Sequence, residues 1–266
     1  MKAYESISNS QPVNLYQFIR GNKEKNYYFC DADIDIEING QKWLAETISD
    51  TGRHLGENIS VTLPSNNPIA MLYRGMPPSQ RVEVRIMRVD YIAKEIQVVW
   101  IGTIVEAKRE DIHQTKLISA GLSSTMDTAG LRLTWGKNCP YTLYDVDCKV
   151  NPTKFGIKNL EIVAIDGMSI VVNVPKALPD EWFMAGFIEW VDIDGVREVR
   201  AVTTHKGNRI SLMGGTQKLS IGLRINVYPG CDGRVQTCKE KFNNVLNFGG
   251  IPHMPSKSPY DGSRIF

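Results

Sequence analysis

The sequence predicts a mainly β protein, with antiparallel β-barrel or sandwich-like domains and a few short helices. Three observations carry this. Apolar and polar residues alternate with a period of two over many short runs, which marks half-buried strands. Asn-Gly or Asp-Gly pairs stand between those runs, as tight hairpins require. Stretches with helical periodicity are few and short.

The strands are legible in order. In "DIDIEI" (33–38), Ile34, Ile36 and Ile38 face one way and Asp33, Asp35 and Glu37 the other. Asn39-Gly40 follows as a type I′ signal before "QKWLAE". "RVEVRIMRV" (81–89) and "EIQVVWIGTIVEA" (95–107) read as an antiparallel pair. "LEIVAIDGMSIVVNV" (160–174) reads as strand, Asp166-Gly167 turn, strand, and "FIEWVDIDGVREVRAV" (187–202) repeats the plan around Asp194-Gly195. "RISLM" and "LRINVYP" add two short strands. Among helices, "NPIAMLYRG" fits two turns and "SSTMDTAG" one. In the last, Thr237 and Glu240 have capping-box spacing, which makes Cys238 the first helical residue and Asn247 with Gly249 the stop.

Two β-rich halves are expected, because "KVNPTKFG" is polar and broken by proline. The first, 1–150, ends in one cysteine pair; the second, 151–255, holds another pair and a short helix; 256–266 is a tail. A chain of 266 residues buries a sizeable core without staples. With 31 basic and 29 acidic residues the net charge is +2, which gives no basic footprint for nucleic acid. No apolar run approaches the roughly 20 residues of a membrane span. "MKAYESISNSQPVNLYQF" lacks the apolar core of a signal peptide. A cytoplasmic setting with reduced thiols is therefore expected, and a disulfide framework is disfavoured.

The five cysteines are the chemically informative residues. Cys139 and Cys148 bracket "PYTLYDVD"; Cys231 and Cys238 bracket "DGRVQT". Four thiolates suit tetrahedral zinc or an iron–sulfur cluster. Neither spacing is the C-x₂-C of a zinc ribbon, and buried cysteines are common small hydrophobes. Spacing alone leaves metal ligation and simple burial equally open. A helix beginning at Cys238 favours a thiolate there. Lys137, Lys149, Arg234, Lys239 and Lys241 flank the cysteines and can offset anionic charge, while Trp135, Tyr141, Phe242 and Phe248 can exclude water. Cys30, in "YYFCDAD", reads as a core or edge residue.

The ending "PGCDGRVQTCKEKFNNVLNFGGIPHMP" resembles the C-terminal signature of a family of tailed-phage and gene-transfer-agent baseplate hub, or tail tip, proteins of the lambda type. "WGKNCPYTLYDVDC" is similar to that family's first cysteine pair, and "FCDADIDIEINGQKW" to its opening hairpins. The resemblance implies a virion tail-tip subunit assembled in the bacterial host cytoplasm. It also implies a homo-oligomer, a homotrimer in the family, that closes or lines the distal tail tube. The implied partners are a distal tail protein, a central tip or fibre protein and the C-terminus of a tape measure, with no specific nucleic-acid binding and no membrane span. It further implies a [4Fe–4S] cluster on Cys139, Cys148, Cys231 and Cys238, stapling the two halves, with zinc as the alternative, and no enzymatic activity. One departure stands out: relatives often carry Leu-Gly where this chain has Leu143-Tyr144.

Other constellations are weak. The histidines, His54, His113, His205 and His253, are scattered, and His205 fits a strand end or hairpin. A Cys/His peptidase pairing Cys231 or Cys238 with His205 or His253, or an iron–sulfur oxidoreductase, is the contrasting enzyme reading; nothing in the sequence specifies a base held against a nucleophile. "DIDG" (192–195) lacks the distal glutamate of a calcium loop and reads as a turn. No phosphate-binding glycine motif is present. Phe248, Ile251, Met254 and Phe266 would anchor an extended arm on a partner, with order expected through Pro255.

Overall fold

The structure is a computed structural model and describes residues 12–21, 25–52, 58–90, 95–125, 133, 135–174 and 178–255. Its contacts divide the chain into two units. One is Met1–Thr128 with Val191–Glu198; the other is Ala129–Trp190 with Val199–Phe266. Both are β structures with few, short helices, as the alternating sequence predicts.

The first unit contains β1 (Pro12–Arg20), β2 (Lys25–Cys30), β3 (Ile36–Ile38), β4 (Gln41–Ala45), β5 (Ser49–Asp50), β6 (Ile59–Pro64), β7 (Val82–Asp90), β8 (Glu95–Arg109) and β9 (Gln114–Gly121). They form a nine-stranded sheet in the order β3-β4-β2-β1-β7-β8-β9-β6-β5. The β2–β4 pair is parallel. The predicted Asn39-Gly40 turn is present with both residues at positive φ, 54° and 76°, and it sets the β3–β4 register Ile38↔Gln41. Pairing begins only at Ile36, and Ile34 is exposed, so the strand is shorter than its alternation suggests. β7 and β8 pair antiparallel with a bulge at Ile86/Met87.

Residues of opposite parity enter two cores, as the strand period requires. Tyr16, Phe18, Val82, Val84 and Ile86 join one cluster; Leu15, Cys30, Trp43, Met87 and Val89 join the other. Cys30 is thus a core residue. Helix α1 (Pro68–Leu72) starts where Asn67 Oδ1 accepts the Ile69 amide at 2.9 Å, with proline at the position where an amide would be unpaired. The single turn predicted in "SSTMDTAG" is a 3₁₀ turn at Leu122–Thr125; the remainder of that stretch lies outside the described residues.

At the end of β1 the Arg20 side chain is fully buried and faces three carboxylates of Val191–Glu198. It bonds Asp192, Asp194 and Glu198. Glu198 also accepts the Ser79 amide at 2.8 Å, and Asp194 accepts the Tyr27 hydroxyl at 2.9 Å. Burial, then the bond to Asp194, pushes the Tyr27 phenol up to about 12. "DIDG" is a hairpin turn: Asp192 Oδ1 accepts the amides of Asp194 and Val196.

The second unit is built on a closed barrel of β10 (Ile157–Asp166), β11 (Ser169–Val172), β12 (Phe187–Val191), β13 (Arg197–Lys206), β14 (Arg209–Leu212) and β15 (Arg224–Tyr228), in the order β10-β11-β14-β13-β12-β15. Residues two apart fill it: Leu160 and Ile162, Ile170 and Val172, Ile188 and Trp190, Ile210 and Leu212, Ile225 and Val227. The remaining elements are α2 (Pro152–Phe155), capped by Asn151, α3 (Val235–Glu240) and a 3₁₀ turn at Val245–Asn247. Among the described residues no helix is long and apolar enough to cross a membrane.

Candidate metal centre

In the second unit the two cysteine pairs meet. Cys139, Cys148, Cys231 and Cys238 all line one cavity of about 270 Å³. Cys148 and Cys238 are buried, and Cys139 and Cys231 half-buried.

Each cysteine is placed by a local device. Asp145 builds the end of the first loop. Its Oδ1 accepts the amides of Asp147 at 3.0 Å and Cys148 at 2.7 Å, and its Oδ2 accepts that of Thr142 at 3.0 Å. Aspartate competes well for nearby amides, which is why "YDVDC" turns instead of continuing as a strand. Cys231 opens a second turn, in which Gly233 stands at φ +74°, a conformation glycine adopts without strain. The Gly233 amide donates to Cys231 Sγ at 3.4 Å, and its carbonyl accepts the Cys139 amide at 2.8 Å. That last bond joins the two pairs.

The residues after Cys238 complete the wall. Asn244 Nδ2 donates to the Cys148 carbonyl at 2.6 Å, and the Gly249 amide donates to Cys139 Sγ at 3.4 Å. Gly249 is required by contact: a Cβ there would lie 2.4 Å from the Tyr141 ring. The Ile251 amide then reaches the Gly136 carbonyl at 2.8 Å. Cys148, Val150 and Phe242 form a small core, with Phe155 edge-on to Phe242 at 5.2 Å. "KFNNVLNFGG" is thus the segment that holds the far cysteine loop in place.

Tyr144 adopts φ +73°, in the left-handed region. A side chain there is strained. It is anchored: its hydroxyl donates to the Pro229 carbonyl at 2.7 Å, and its ring meets Phe187 and Tyr228 edge-on.

Burial pushes the Cys231 and Cys238 thiols up, and the proximity of the other cysteines adds to this. Gathering four thiolates is unfavourable by itself, and a bound metal cation is what makes the deprotonated set stable. Zinc–thiolate bonds of ~2.3 Å in a tetrahedron require the sulfurs within about 3.8 Å of one another. Among the described residues no three Cys, His, Asp or Glu side chains converge to hold a single ion.

Two expectations change. The capping box is not formed: α3 starts at Val235, Arg234 stands at the N-cap without a side-chain cap, and the Cys238 amide donates to the Arg234 carbonyl at 3.1 Å. Asp232, not Thr237, serves the helix start, accepting the Arg234 amide at 3.0 Å. Cys238 therefore gains no free amide. Tyr141, Phe242 and Phe248 line the cavity, but Trp135 is 87% exposed. His205 lies near the end of β13 as predicted, and it is buried against Phe183. Phe266 lies outside the described residues. Asp145, unremarked in the sequence, carried a readable signal in its spacing to Asp147 and Cys148.

The chain's fold is similar to that of a chain in the structure described as "Virion of native gene transfer agent (GTA) particle", with a TM-score of 0.74 and 19% identity, over 99% of this chain and 98% of that one. No curated protein sequence matches. Residues 181–258, which carry Cys231, Cys238 and the segment that walls the cavity, match the family described as phage conserved hypothetical protein BR0599.

Proposed function

We propose that this chain is a structural, non-enzymatic subunit of a phage or phage-like virion, a baseplate hub at the tail tip whose four cysteines hold a [4Fe–4S] cluster. The observation that carries the cluster is the shared cavity of Cys139, Cys148, Cys231 and Cys238. The virion assignment is supported by the phage family match over residues 181–258 and by the likeness in fold to a gene-transfer-agent virion chain.

Cys139 and Cys148 would hold the group from one loop, Cys231 from the turn at Gly233 and Cys238 from α3. Bound there, a cluster supplies four covalent ties, and its binding free energy counts toward folding. The chain's own residues do the rest. Gly233 and Gly249 amides point at two of the sulfurs, Asn244 fixes the Cys148 backbone, and Tyr141, Phe242 and Phe248 keep water out. The subunit would oligomerise, as a trimer, between a distal tail protein and a central tip or fibre protein, against the end of a tape measure.

Anaerobic purification with absorption spectroscopy and metal analysis tests the cluster. A brown protein with about four irons per chain is expected. A colourless protein with one zinc overturns the cluster in favour of zinc. In virions, Cys231→Ser is expected to block tail assembly; normal, infectious particles carrying it would remove the stapling role.

A further inference from the structure

Five cationic side chains flank the cysteines, and four of them, Lys137, Lys149, Arg234 and Lys239, are exposed. Lys241 is not. Its Nζ donates to the Trp182 carbonyl at 2.6 Å and to the Gly230 carbonyl at 2.8 Å. It lies 4.9 Å from the centre of the Trp182 ring and 5.5 Å from that of Phe242. Its polar partners among the described residues are two carbonyls, with no carboxylate within ion-pair reach.

A half-buried ammonium without a paired carboxylate is costly to keep. Burial lowers the Lys241 pKa, and what pulls it back up is first Cys231 and then Asp232. The geometry agrees. Gly230 leads directly into Cys231, and Phe242, against which the ammonium rests, is part of the cavity wall. The charge is therefore fixed to the peptide that delivers one sulfur and to a ring that shields the site. Surface lysines on flexible stems have no such fixed position.

Building on the four-cysteine cluster reading above, we propose that Lys241 is a positioning residue: a fixed positive charge that stabilises the anionic thiolate-ligated group and raises its reduction potential. One-electron reduction adds negative charge to the cluster, so a nearby fixed cation favours the reduced form. A charge held on the peptide that leads into Cys231, in a partly buried setting, also strengthens retention of the anionic ligand set.

The test is anaerobic reconstitution of the full chain with ferrous iron and sulfide, in the natural protein, Lys241→Met and Lys241→Arg. Two quantities are read: the potential in a dithionite titration and the rate of cluster loss to a chelator. Lys241→Met is expected to have a more negative potential and to lose its cluster roughly fivefold faster. Lys241→Arg, which keeps the charge, is expected to match the natural protein. Equal potentials and loss rates in all three overturn the role of Lys241 and leave the cluster standing. A low potential shared by both variants also overturns it, because that pattern reports lost packing and not lost charge. A natural chain that takes up no iron under these conditions overturns the cluster reading and this inference together.

Discussion

The Tyr144 hydroxyl donates to the Pro229 carbonyl at 2.7 Å, from a residue held at φ +73°. A left-handed tyrosine costs ~1–2 kcal/mol of backbone strain. The hydrogen bond and the aromatic contacts with Phe187 and Tyr228 offset it.

Replacement of Tyr144 separates these effects. Tyr144→Phe keeps the ring and is expected to lose about 1 kcal/mol, the net worth of the bond. Tyr144→Gly relieves the strain but removes a packed aromatic, and the larger loss, roughly 2–3 kcal/mol, is expected. Urea unfolding of the second unit, followed by fluorescence, gives the order. A glycine variant more stable than the phenylalanine one would mean that the ring contributes no anchoring.

The Arg20 cluster predicts a different asymmetry. Arg20→Met leaves Glu198, 3% exposed, with no cation, and is expected to cost ~3–5 kcal/mol. Arg20→Met combined with Glu198→Leu removes both buried charges and is expected to recover part of that loss. Thermal melts of the two variants check this. A double variant weaker than the single one would show that the ion pair itself, and not the stranded charge, carries the energy.

His205 predicts acid sensitivity in the second unit. It is buried and packs edge-on against Phe183 at 4.7 Å. Burial lowers its pKa below the ordinary 6.5; a hydrogen bond with the Gly207 backbone and then Asp180 oppose the shift, and Lys241 adds to it. The unfolded chain therefore takes up the proton first. Stability is whole above pH 6.5 and falls as pH drops below it, until the folded histidine also titrates. The loss reaches at most ~1.4 kcal/mol per pH unit. Comparing urea midpoints at about pH 7.5 and about pH 5.5 in the natural chain and in His205→Leu checks it. Equal slopes in both would assign the acid sensitivity to other groups.

Hairpins were the most legible part of the fold, because their signals are local. Asn39-Gly40 and the Asp192–Gly195 turn sit where the sequence predicts them. β9 was hidden because two of its inward positions are hydroxyls, Thr115 and Ser119, both buried, so its apolar alternation is broken. The start of α3 was misplaced because Thr237 and Glu240 have the right spacing while a nearer carboxylate, that of Asp232, takes the role. At the cysteines, spacing cannot reveal the Cys139–Gly233 bond that joins the pairs, since it depends on where the barrel sets its ends. The glycines and asparagine after Cys238 were visible as a dense motif; only the structure shows that they brace the opposite loop.

The Arg20 cluster also sets an order in time. Arg20 is made 172 to 178 residues before its carboxylates, Asp192, Asp194 and Glu198. During synthesis the N-terminal sheet must wait, with an unpaired guanidinium, until the ribosome has passed Glu198. A fragment ending at Thr128 would never receive its counter-charges. The first unit is early in sequence but late in completion, because Val191–Glu198 is part of it.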